Sequence, residues 1–158
     1  LQLWVNLPAR LKMTEPNYIP VTASQIAESE ISAGVVMRAV SGTQDAPIAS
    51  LTGVTLATVE MDAGSHAVLD APVGRSVLFY TVRGACRIGE TTVPEHNLAK
   101  LEDGDSIEVS SEDGCLILFG HADPIGEPTV AHGPFVMNSE AEIVEAIRDY
   151  RAGKFGGL

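Results

Sequence analysis

Much is missing from this sequence, and each shortage narrows what it encodes. Only two cysteines occur in 158 residues, Cys86 and Cys115, far apart and in no CxxC pair. A disulfide framework is thereby excluded, and the two read as reduced, buried thiols of a cytoplasmic protein. A single disulfide between neighbouring strands is the alternative. No stretch approaches the roughly 20 apolar residues that span a bilayer. No charged segment followed by an apolar run marks a secretory signal either. Basic residues are few, 10 against 21 acids, for a formal net charge of -11. Between Glu90 and Asp113 only Lys100 is basic. A surface of that sign repels phosphate backbones, which excludes direct nucleic-acid binding. No nucleophile-elbow pattern is present, and Ser, His, Asp and Cys recur without catalytic spacing.

What remains is a globular balance, 45% hydrophobic and 20% charged, with enough length for a core without a structural metal. The chain opens on "LQLWVNLPAR". Leu1, Leu3, Val5 and Leu7 alternate with Gln2, Trp4 and Asn6, which is strand periodicity. Pro8, Pro16 and Pro20 then impose an irregular, extended connection. "SQIAESEI" offers a helical turn before a strand at "GVVMRAVSG". From there to about Val130, short β-rich runs alternate with Gly, Pro, Asp and Ser. Among them are "VTLATVEM", "SVLFYTVRG", "HNLAKL", "SIEVS" and "CLILFG". That spacing predicts an all-β barrel or sandwich. "EDGD" and "SEDG" read as hairpin-type turns with positive φ available at Gly104 and Gly114.

Only the end of the chain predicts an α-helix, over Ser139 to Arg151. Ser139 and Glu142 form a capping-box signature. Ile143, Ile147 and Tyr150 share one face, with Val144 and Arg151 beside them. Gly153 is the stop. "GEP" and "GPF" read as turns and barrel closure.

Three strings carry a resemblance: "LQLWVNLPARLKMTEPNYIP", "PIASLTGVTLATVEMDAGS" before "FYTVRGACRIG", and "GEPTVAHGPFVMNSEAEIVEAIRDYRAGKFG". Together they resemble the pirin family over nearly the whole chain. Pirins are bicupins, so the resemblance implies an all-β cupin (double-stranded β-helix or jelly-roll) barrel with one C-terminal α-helix. It implies a first strand and interdomain connection over 1–20 and a C-terminal cupin domain with its terminal helix over 21–158. It also implies a preceding N-terminal cupin barrel holding non-haem iron or another divalent metal through three His and one Glu. Those ligands would lie upstream of Leu1.

Metal-binding cupins carry His-x-His before a Glu, and a third His on a later strand. Three imidazoles and a carboxylate suit Fe(II), Mn(II) or Ni(II) and leave positions open. This chain has no His-x-His. The corresponding slots fall near "LDAPVGRS", around Asp70, Pro72 and Ser76, and "EDGDSIEVSSEDG" supplies no later His. No metal or other cofactor is therefore expected in this chain, and no catalytic residue of its own. His66 and His121 are the weak candidates for ligand remnants. His96 reads as an exposed loop residue, and His132 as a brace for the start of the helix through a backbone carbonyl.

Two functions follow from the resemblance. In one, this barrel structurally completes a quercetin 2,3-dioxygenase-like oxygenase whose chemistry lies in the partner barrel. In the other, it is a metal-free interaction module of a transcriptional or metabolic co-regulator, and its acidic surface favours basic protein partners. An uncovered face and the uncharged first strand further predict a homodimer.

Overall fold

The computed structural model describes residues 1–155. Contacts within the chain group Leu1–Asn17 with the residues from Ile125 on, and leave Tyr18–Pro124 as a unit of its own.

The unit Tyr18–Pro124 is built from eight strands, all paired antiparallel: β1 (Glu28–Ser32), β2 (Val35–Ser41), β3 (Thr55–Met61), β4 (Ser65–Asp70), β5 (Ser76–Ile88), β6 (Thr91–Pro94), β7 (Ser106–Ser111) and β8 (Cys115–Ala122). The order is β1-β2-β3-β8-β5-β7-β4, with β6 beside β5, and the sheet curls into a nearly closed cupin barrel. Period-2 alternation decides which side chains face inward. Ala57, Val59 and Met61 of β3, Ala67 and Leu69 of β4, Ile107 and Val109 of β7, and Cys115, Ile117 and Phe119 of β8 are all buried. With Phe79, Cys86 and Val93 they make one continuous core.

Strand β5 joins the two parts of the barrel. Ser76 to Gly84 pair with β8, and Ala85 to Ile88 then pair with β6. The register shifts between Thr81 and Arg83, and Gly84 takes φ 73° at the turning point. Its amide donates to Glu95 Oε2 at 2.9 Å. On the outer face, Arg38 bridges Glu28 (2.9 Å) and Glu60 (2.8 Å), and Glu60 also meets Arg83. The hydrogen bond from Arg38 holds the Glu60 carboxyl below its usual range.

Several local expectations give way to longer-range pairing. "EDGD" and "SEDG" do not close hairpins, because β7 pairs with β4 and β5 while β8 pairs with β3 and β5. They carry the chain from one part of the barrel to the other, and only Gly114 of the two glycines has positive φ. "HNLAKL" forms a single bridge, Tyr80 to Leu98, because His96 at φ 63° turns the chain just before it. The expected turn at "SQIAESEI" is a 3-10 turn over Ala23–Gln25 capped by Thr22 and Gln25, and "ESEIS" then becomes β1.

In the other unit, "LQLWVNL" forms no strand. No described strand pairs with it, and alternation without a ladder partner leaves the segment extended and mostly exposed. Trp4 is 63% exposed. A 3-10 turn at Ala9–Leu11 follows. "GPF" does not close the barrel. It sits in a separate hairpin, β9 (Val130–His132) with β10 (Phe135–Met137), turning at Gly133 with φ 54°. Helix α1 (Glu140–Arg151) has Ser139 as its N-cap, which accepts from Glu142 N, and buries Ile143. His132 is exposed at the end of β9. Asn138 braces the start of the helix instead, donating to Glu127 Oε2 (2.9 Å) and the Pro128 carbonyl (3.0 Å).

Candidate functional site

In a strand of this barrel, only every second side chain can reach an interior ion. On β4 and just beyond it, the inward positions belong to Ser65, Ala67, Leu69 and Ala71, all buried. Asp70, Pro72 and Ser76 are exposed. Asp70 pairs with Ser106 and Ser76 with Ala122 at strand ends. Small and aliphatic side chains thus occupy the interior where imidazoles and a carboxylate would have to converge. Among the described residues, no three His, Cys, Asp or Glu side chains are grouped to hold a metal. A non-haem iron centre does not fit this interior.

The two weak ligand candidates are not brought together. His66 lies on the outer side of β4, exposed, opposite Ser110. His121 lies near the end of β8, opposite Thr55. It shares the inward side with Phe119, whose ring it meets edge-on at 5.9 Å between centroids. Ser111, the partner of Ser65 beside His66, lies near the start of β8, where Cys115 pairs with Met61. Six residues of strand then lead from Cys115 to His121, which is roughly 20 Å at the usual rise.

The polar residues that do gather inside form two groups. At one end, Thr81, Cys86, Ser111 and Cys115 are buried. Both thiols are free. Thr81 Oγ1 lies 3.6 Å from Cys86 Sγ, and Ser111 Oγ donates to the Ala85 carbonyl at 2.7 Å. The hydrogen bond with Cys86, together with burial, pushes the Cys115 thiol up. At the other end are Arg75 and His121. Arg75 Nη2 donates to the carbonyls of Gly53 (2.5 Å) and His121 (3.4 Å). Its Nε lies 3.6 Å from Asp123 Oδ1, too long for a hydrogen bond. Both Arg75 Nε and His121 Nδ1 are buried without a partner. Sequence reasoning missed Arg75. A lone Arg after a Gly-containing turn gives no signal, because its importance depends on where β8 ends.

Next to this end opens a cavity of about 790 Å³, floored by Ala71, Val77, Ile88, Ala99, Leu101 and Ile107. Arg75, Lys100, Glu102, Asp103 and Glu108 also line it.

Burial lowers the pKa of His121, and the Arg75 charge lowers it further against the smaller opposing pull of Asp123 and Asp70. The unfolded chain therefore binds this proton more tightly than the folded one. Stability is full above the ordinary imidazole value near 6.5 and falls as pH drops through it. Urea midpoints are expected to fall between pH 7.5 and 5.5, and His121→Gln to flatten that slope. An unchanged slope in the variant would assign the loss to other groups.

The model of the pirin C-terminal cupin domain matches residues 56–156. A pirin-like protein of Caulobacter vibrioides is 33% identical, with 98% of this chain and 58% of that protein covered. Human pirin is 32% identical over 99% of this chain and 57% of its own length. The solved structure of a quercetin 2,3-dioxygenase from Acinetobacter baumannii superposes with a TM-score of 0.90 at 30% identity, covering 98% of this chain and 56% of that one. This chain thus spans a little over half the length of these relatives. Barrel, helix and matched residues agree, and the chain belongs to the pirin family as its C-terminal cupin domain.

Proposed function

We propose that this barrel is itself metal-free and structurally completes a metal-dependent, quercetin 2,3-dioxygenase-like bicupin. The observation that carries this reading is the apolar filling of the interior, with Ala67, Leu69 and Ala71 on the inward line. The greater length of the relatives supports a second, N-terminal barrel as the partner, with non-haem iron or another divalent ion as that barrel's cofactor. The role of this chain is then to cover one side of the reacting centre and keep water out, with no ligand of its own to the ion.

Oxygen uptake with quercetin, measured beside elemental analysis, tests this. The 158-residue chain incubated with Fe(II) is expected to retain no stoichiometric metal and to consume oxygen no faster than buffer. A protein joining it to a pirin N-terminal barrel is expected to retain stoichiometric metal and to consume oxygen faster than buffer. Stoichiometric iron inside this barrel alone would overturn the reading.

A second reading, an interaction module of a co-regulator in the cytoplasm, draws on one observation. Leu1, Leu3, Trp4 and Val5 are all exposed, and exposed apolar groups of this kind favour burial against a partner. The same run supports a homodimer of the isolated chain. A joined two-barrel protein that binds metal yet never turns over a flavonol favours this reading.

A further inference from the structure

From the cavity and the unpartnered Arg75 Nε on its lining, we infer that the barrel binds a small amphipathic monocarboxylate, its apolar body on the aliphatic floor and its carboxylate at Arg75. The volume of about 790 Å³ lies in the range of small-molecule sites. The floor is aliphatic throughout: Val77, Ile88, Ala99 and Leu101 are partly buried and packed on the core. It offers a body several methylenes long an apolar surface, and each methylene buried contributes about 0.8 kcal/mol.

The head group is specified by what the inner end lacks. Buried polar atoms without partners are uncommon, and each calls for a missing partner. Arg75 Nε is such an atom, and the same guanidinium reaches the His121 main-chain carbonyl. Arg75 lines the cavity. An Arg N–H calls for an acceptor, and carboxylate oxygens match guanidinium geometry best. The present cover is Asp123, 77% exposed and 3.6 Å from Nε. It is close enough to occlude the donor and too far to satisfy it. A ligand carboxylate replaces it there, while Asp123 turns into water. Lys100 lines the same cavity and has no ion-pair partner among the described residues.

Glu102, Asp103 and Glu108 also line the cavity and favour the opposite sign. They are exposed, as is Lys100, where water weakens their field, whereas Arg75 Nε is buried, where charge acts strongly. Which group wins decides the ligand, so the test sets the two against each other.

Octanoate, octylamine and octanol share one body and differ only in head group. Each is titrated into the 158-residue chain while methyl NMR shifts are followed. Octanoate is expected to bind most tightly, with saturable shifts concentrated at Val77, Ile88, Leu98, Leu101 and Ile107. Asp123→Asn removes an exposed competitor without touching the core. It is expected to tighten octanoate by about two- to fivefold and to leave octanol unchanged. Lys100→Gln is expected to weaken octanoate alone. Octylamine binding as tightly as octanoate would overturn the proposal, as would shifts that never saturate or that spread over the whole surface. Unchanged octanoate affinity in Asp123→Asn would overturn the carboxylate assignment as well.

Discussion

Replacing Phe79 by alanine is expected to cost about 3–5 kcal/mol, the usual range for truncating a fully buried aromatic. Phe79 has no exposed surface. It lies opposite Phe119 across β5 and β8, so truncation leaves a hole between the strands that hold the barrel together. The surrounding side chains are themselves packed on β-strands and cannot collapse into it without breaking ladders. Far-UV circular dichroism in urea is the right measurement, because it reads the strands themselves. A loss of about 0.5 kcal/mol or less, the size of a surface effect, would show that Phe79 is not the centre of the core.

Gly84→Ala is expected to be nearly as damaging although it adds one methyl group. That methyl would meet the Gly114 carbonyl oxygen, and the Cys115 Cα at 3.2 Å. Both are backbone, so neither can swing aside. The φ of 73° adds strain for an alanine, whose Cβ disfavours the left-handed region. Strain and overpacking together come to about 2–5 kcal/mol. Gly89→Ala is the control. It too has positive φ, at 56°, but a methyl there meets nothing within 4 Å. If the two variants unfold at the same urea concentration, the close approach of β5 and β8 at Gly84 has no energetic consequence.

Residue by residue, what the sequence made legible was mostly local. The inward rows of β3, β4, β7 and β8 follow directly from alternation. The helix follows from Ser139, Glu142 and Gly153, whose cap and stop are short-range chemistry. The turns were legible as turns, and what they connect was not. "SEDG" has the composition of a hairpin, yet β7 and β8 choose other partners, and turn chemistry holds no information about distant strands. "LQLWVNL" failed for a related reason, since alternation describes a strand's faces and says nothing of its ladder. The absence of a His-x-His was readable at once. The Arg75–His121 pair was not, because it exists only after β8 has run its full length beside β5 and brought residue 121 back to residue 75.

The sharing of β5 between two sets of partners also shapes how this unit comes to fold. Thr55 pairs with His121 and Ser65 with Ser111, so the outermost pairings nest around the inner ones, and each waits for a long stretch of chain to return. Little stability is gained until those loops close, and their entropy must be spent first. A nascent chain that has emerged only as far as β5 holds β2 and β3 with no β8 to join them. Its bare edges would persist until Cys115 to Ala122 arrive, and β5 meets only its short partner β6 (Thr91–Pro94) before then, with β7 following. Synthesis of the stretch from β5 to β8 is thus the interval in which this unit is most exposed to misassembly.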